Sequence, residues 1–215
     1  MINVILVLFS FCLASNDENH DISFQYGILS KPAYDVGVNT VLSDSSTIHS
    51  GEFLRINVGY SPKTNFCLIY KSASGEYMLL DSKDKLPEEE ILPELETTYY
   101  TALHSTEMGP PEGVETFYFV NSLETLSQLV SLLKRYENAP AKGKMKLASK
   151  VETIINSYDP DSLDDLSSLS SELDKPITGG VAFRGEGDEV KDLSVTHKCV
   201  GSDGNAFKKV VLIHK

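Results

Sequence analysis

Alternation is the dominant pattern. In Glu52–Tyr60 the apolar side chains of Leu54, Ile56, Val58 and Tyr60 share one face, and Arg55 and Asn57 are among the polar positions. That is the period-two signature of a half-buried strand. Phe66–Tyr70 is an almost continuous apolar run, as a central strand requires. A turn at Ser72–Gly75 returns the chain through Glu76–Leu80 as a hairpin. Thr97–Leu103, with Tyr99 and Tyr100, reads as a further strand, and Val114–Val120 carries the strongest buried-strand signal. Residues 22–42 alternate weakly around Gly27, Pro32 and Gly37, which predicts one or two short edge strands. Ser43–Gly51 reads as a polar turn.

The period then changes. Asn121 with Glu124 three residues on has the spacing of a capping box, and Leu123, Leu126, Val130 and Leu133 follow at helical intervals. Helices are expected over about 122–136, 141–158 and 162–173. The apolar pattern reverts to strands in Val181–Arg184, Val190–Val200 and Ala206–His214, with Asp203-Gly204 as the hairpin signal before the last. Strands, then helices, then strands predict an α+β fold: a mainly antiparallel, sandwich-like β-sheet with two or three helices packed on one face. A single domain would span residues 15–215, with a β-rich part at 22–120, a helical part at 121–174 and C-terminal strands at 181–214.

The first residues stand outside that domain. Ile2–Ala14 is thirteen residues without a charge, followed at once by the polar run Ser15–Asn19. A bilayer span needs about 20 apolar residues, whereas a secretory leader has a hydrophobic region of about 7–15. We therefore read residues 1–14 as a signal peptide cut after Ala14; the alternative is a buried N-terminal strand. Localisation is then export, to the periplasm, the cell envelope or the outside, with no transmembrane span once the leader is gone.

Export changes the cysteine arithmetic. Cys12 leaves with the leader, and Cys67 and Cys199 remain. Two cysteines in an exported chain form either one disulfide or a pair of buried thiols. The charge balance is 19 basic against 31 acidic residues, net −12. An acidic protein repels phosphate backbones, which excludes nucleic acid as the general partner. The acids and bases are segregated. Asp81–Glu96 holds seven acids, read as a solvated connector or an acidic docking loop, and Lys134–Lys150 holds six Lys/Arg against Glu137. The second segment is the one basic face, and Lys144 and Lys146 are its binding candidates.

The motifs of catalysis are missing. There is no G-x-S-x-G, no H-E-x-x-H and no phosphate-binding loop with its Lys and Ser/Thr. The five histidines are scattered, so neither a metal nor another cofactor is implied. Arg184 ends an apolar strand beside a glycine-flanked loop. It pairs with Glu186, Asp188 or Glu189, or it presents its guanidinium to an anionic ligand. Tyr99 and Tyr100 line a binding face or form the half-buried rim of a sheet.

Three segments together resemble a bacterial exported domain family of unknown function, whose members occur alone or beside serine/threonine kinase and caspase-like domains. They are Ser50-Gly51-Glu52 opening the strand to Val58, Phe66–Tyr70 with Gly75 and its return strand, and Pro110–Ser122. The match covers about residues 48–122. Glu52 stands where the family usually has Asp, and Leu79-Leu80-Asp81 stands in place of its Leu-Phe-Pro. The resemblance implies a β-rich accessory module of the cell envelope and assigns no catalytic residue. The functional expectation is a non-catalytic binding or protein-interaction module with a protein partner, its small-molecule ligand unknown. The alternatives are an envelope hydrolase using acidic residues and a structural subunit of an envelope complex.

Overall fold

The computed structural model describes residues 21–32, 39–91, 97–159, 181–183, 191–193 and 195–215. Its strands are β1 (Ile22–Lys31), β2 (Thr40–Leu42), β3 (Ser46–Ile48), β4 (Phe53–Tyr60), β5 (Asn65–Lys71), β6 (Tyr77–Lys83), β7 (Thr98–Glu107) and β8 (Gly113–Ser122). Helices α1 (Ser127–Glu137) and α2 (Ala141–Asn156) follow, then β9 (Val181–Phe183), β10 (Lys191–Leu193), β11 (His197–Gly201) and β12 (Asn205–His214). The expected α+β architecture is present, and the helices lie together on one face.

Two five-stranded sheets stack. Sheet A runs β11-β1-β4-β7, with β2 also on β1; sheet B runs β3-β12-β8-β5-β6; β9 and β10 form a separate two-stranded ribbon. All strand pairs are antiparallel except β3 with β12. The alternation read in Glu52–Tyr60 explains the stacking. Leu54, Ile56, Val58 and Tyr60 of β4 join Phe24, Tyr26 and Ile28 of β1 against Phe66, Leu68, Phe117, Phe119, Val210 and Leu212 of sheet B. The residues between these on β5 and β8 point the other way, as strand geometry demands. Cys67, Ile69, Tyr118 and Val120 meet Leu129, Leu132, Leu133 and Tyr136 of α1 and Val151 and Ile155 of α2. Sheet B is therefore buried on both faces, which is why its central strands read as continuous apolar runs.

Four local expectations are corrected. Residues 22–31 are no edge: β1 is a ten-residue strand with β11 and β2 along one side and β4 along the other. The presumed turn Ser43–Gly51 contains β3, which pairs with the end of β12. Strand β6 extends through Asp81–Lys83, into what looked like a solvated connector. Asn121 caps no helix. It belongs to β8, is wholly buried, and donates its side-chain amide to Ser23 O at 3.3 Å. Pairing of β8 with both β5 and β12 carries the strand to Ser122, so α1 begins five residues later than expected, at Ser127, with no side-chain cap. The Asp203-Gly204 hairpin is as expected, both residues taking the positive φ of a tight two-residue turn (52° and 72°). The helix expected over 162–173 lies outside the described residues.

Candidate functional site

The layers have two outer faces, the far side of the helix pair and the outer face of sheet A. A buried polar cluster at one end of sheet B makes a third place.

Packing of α1 on α2 produces a groove of about 440 Å³. Leu132 and Ile154 form its apolar part, Gln128, Ser131 and Thr153 supply polar groups, and Arg135 and Lys150 bring two cations to it. The acids of this layer do not neutralise them. Between Ser127 and Asn156 the chain has only Glu137 and Glu152. Glu137 accepts the Leu79 N–H at 2.8 Å, and Glu152 pairs with Lys71 at 3.3 Å, so both are drawn toward sheet B. The expected candidates on the same helix separate. Lys144 is occupied, 3.4 Å from Glu76 Oε1 and 5.3 Å from the Tyr136 ring centre. Lys146 is exposed, as is its neighbour Met145, at 76% exposure. Arg135 and Lys150 lay inside the basic stretch noted in the sequence, but only the helix crossing singles them out.

On the outer face of sheet A, Arg55 donates from Nε to Asn57 Oδ1 and from Nη2 to Thr101 Oγ1, both at 3.2 Å. The Thr101 hydroxyl donates to Asn57 Oδ1 at 3.0 Å and closes the triangle. Tyr99 packs against Gly59, where a Cβ would meet its ring at 2.4 Å, and donates to Gln25 Oε1 at 3.2 Å. Glycine at 59 is thus required by a close approach. Its neighbour Tyr100 points inward, edge-on to Tyr60 with ring centres 5.9 Å apart. Burial pushes the Tyr100 hydroxyl up in pKa, and Asp81 raises it further. Tyr100 OH and Asp81 Oδ2 are both buried without a well-formed hydrogen bond. The adjacent tyrosines therefore divide, Tyr99 to the outer face and Tyr100 to the core edge, rather than lining one surface.

The third place resembles a hydrolytic relay. Ser50 Oγ is 2.9 Å from His214 Nε2, and His214 Nδ1 is 3.3 Å from Glu115 Oε1. A carboxylate accepts, so Nδ1 turns a proton toward Glu115, and the Ser50 hydroxyl meets the other ring nitrogen. Acyl transfer needs more than this: free N–H groups must meet the oxyanion. Within His49–Glu52 none is left. Ser50 N–H donates to Lys215 O, Gly51 N–H to Met108 O, Glu52 N–H to His49 O and His49 N–H to Glu52 Oε2. The trio ties the β3–β4 turn to the ends of β8 and β12, and Glu115 also accepts from Tyr70 OH at 2.6 Å and Ala73 N–H at 3.0 Å. We read it as a structural clamp.

Of the two alternatives for Cys67 and Cys199, the structure has the pair of buried thiols. Sheet B separates them, since Cys67 faces the helices and Cys199 faces the inter-sheet core, where its Sγ lies 3.3 Å from Phe207 O. Alternation hides this in the sequence, because one position's shift along β5 would put Cys67 on the other face. Arg184 lies outside the described residues. Among the described residues no group of three His, Cys, Asp or Glu is placed to hold a metal, and no helix is long and apolar enough to cross a membrane. Neither a protein-family model, nor a curated protein, nor a solved structure matches the chain.

Proposed function

We propose that the protein is an exported interaction module of the bacterial cell envelope, and that the groove between α1 and α2 receives an acidic, partly apolar segment of a protein partner. One observation carries this reading: Arg135 and Lys150 flank an apolar floor, while Glu137 and Glu152, the only acids of α1 and α2, are engaged elsewhere. On a chain of net −12, that is a local reversal of sign. Opposite charge draws a partner segment in and sets its register, and the apolar floor gains from excluding water. The groove also lies within the few hundred Å³ usual for a site that engulfs a few side chains. Export rests on the leader pattern of residues 1–14, and the envelope setting on the resemblance across residues 48–122.

The test is fluorescence anisotropy with labelled peptides alternating Leu with Asp or Glu, against the same peptides with Asn and Gln. Binding to the acidic set only, weakening as salt rises, supports the reading. Charge reversal at the groove, Arg135→Glu with Lys150→Glu, should abolish binding while leaving stability within about 0.5 kcal/mol, as is usual for exposed positions. Unchanged binding in that double variant overturns it. Export is tested separately: the mature chain should begin at Ser15.

A further inference from the structure

We propose a second binding site, on the opposite side of the molecule, in which Arg55 on the outer face of sheet A holds an oxyanion, a carboxylate or a phosphate.

Most of the guanidinium's donors are unused. Arginine has five N–H groups in a planar fork. Arg55 uses two, and both acceptors, Asn57 Oδ1 and Thr101 Oγ1, are neutral. No ion pair to Arg55 forms among the described residues. Both Nη1 protons and one Nη2 proton remain, which is the edge that takes a carboxylate or phosphate in bidentate fashion. A half-buried cation without a counter-charge costs stability, so an anion that completes it binds favourably.

The surroundings support the same reading. Asn57 is wholly buried, and with Thr101 it holds the guanidinium in one plane, so little side-chain freedom is lost on binding. Lys31 adds a second cation. Leu29 stands opposite Arg55 and Lys31 opposite Phe53, which makes Lys31 the diagonal neighbour of Arg55 on this face, about 7–8 Å away by strand geometry. The nearest carboxylate in register, Glu107 opposite Phe53, pairs with neither cation. The ladder between β4 and β7 also breaks between Leu54 and Ile56, leaving Arg55 without a register partner on β7. Bulges of this kind re-aim side chains beside binding sites. Sheet B and the inter-sheet core lie between this face and the helix groove, so the two sites are independent.

Two probes separate the sources of the anion: inorganic phosphate, and N-acetylglycine for a chain carboxylate, each titrated at constant ionic strength against chloride. The readouts are calorimetry and the nitrogen-15 side-chain resonance of Arg55. We expect saturable binding of at least one probe, with the Arg55 resonance shifting in step. Arg55→Gln should weaken it by about tenfold or more, and Arg55→Lys, which keeps charge but loses the fork, by less. Phosphate alone would assign a phosphoryl ligand, N-acetylglycine alone a carboxylate, and both an oxyanion of either kind. Absence of a saturable Arg55 shift with either probe overturns the proposal, as does unchanged affinity in Arg55→Gln. Should that variant not fold, the resonance of the native chain decides alone.

Discussion

His214 Nδ1 lies 3.3 Å from Glu115 Oε1, and both side chains are sealed from solvent, at 0% and 2% exposure. A buried carboxylate survives only where donors surround it. Glu115 has three, from His214, Tyr70 and the Ala73 main chain, and these come from β12, β5 and the β5–β6 turn. Carboxylate and imidazole thus fasten segments far apart in sequence.

Removing the acceptor should therefore cost far more than removing Ser50. Glu115→Ala strands three donors and should lose about 3–5 kcal/mol, the usual cost of breaking a buried charged cluster. Ser50→Ala removes one exposed hydroxyl and should lose about 1 kcal/mol or less. Urea denaturation measures both. The clamp reading also predicts that Ser50 does not react with a fluorophosphonate. A covalent adduct on Ser50 that disappears in His214→Ala would instead reveal a working relay.

Alkali should unfold the protein early. Burial raises the hydroxyls of Tyr60, Tyr70, Tyr77, Tyr100 and Tyr158 above their ordinary value, and Tyr118 is pushed up to about 12 by burial and then by Tyr77. In the unfolded chain tyrosine ionises near about pH 10. Below that pH both states keep the proton, and these groups add no pH dependence. Above it the unfolded chain releases protons that the native state retains, so stability falls as pH rises. Denaturation midpoints should begin to drop near about pH 10 and keep falling toward about pH 12. Tyr100→Phe should make the fall shallower and, because it removes a buried hydroxyl without a partner, cost nothing at neutral pH.

The thiols give a third check. Burial pushes the Cys67 thiol well above its ordinary value, and nearby Asp81 adds to the shift. Thiolate is the reactive form, so Cys67 should label slowly in the native protein. Once the chain from Ser15 onward is denatured without reductant, two thiols should titrate. A count of zero would restore the disulfide.

The legible parts of this fold are those whose cause is local. Alternation in β4 and the apolar runs of β5 and β8 declare themselves because each strand's faces meet layers of one kind. The cap expected at Asn121 failed for a non-local reason: pairing with β5 and β12, far away in sequence, outcompetes a local capping box. β1 looked like an edge because Gly27 interrupts it, yet Gly27 sits opposite Asn57 in register. Arg55 could have been noticed as a cation inside a strand, but its lack of a carboxylate partner depends on Asn57, Thr101 and the β7 irregularity. No spacing rule announces that combination. Arg135 and Lys150 were visible only as members of a charged run, because the crossing of two helices selects them.

The inter-sheet core makes the last prediction. Phe119 of β8 stacks on Phe24 of β1, with centres 6.0 Å apart and planes at 15°, and meets Tyr26 at 4.8 Å. It bridges one sheet to the other, as Phe66 of β5 does against Phe24 and Tyr60, and it is fully buried. Phe119→Ala should cost about 3–5 kcal/mol through lost burial and the cavity left behind, a large share of a typical total of about 5–15 kcal/mol. Phe119→Leu keeps most of the volume and should cost less. Pairing Phe119→Leu with Phe24→Leu isolates the ring contact, for which a coupling of about 0.5–1.5 kcal/mol is expected. Additive losses in that cycle would mean that this pair of rings serves only as bulk between the sheets.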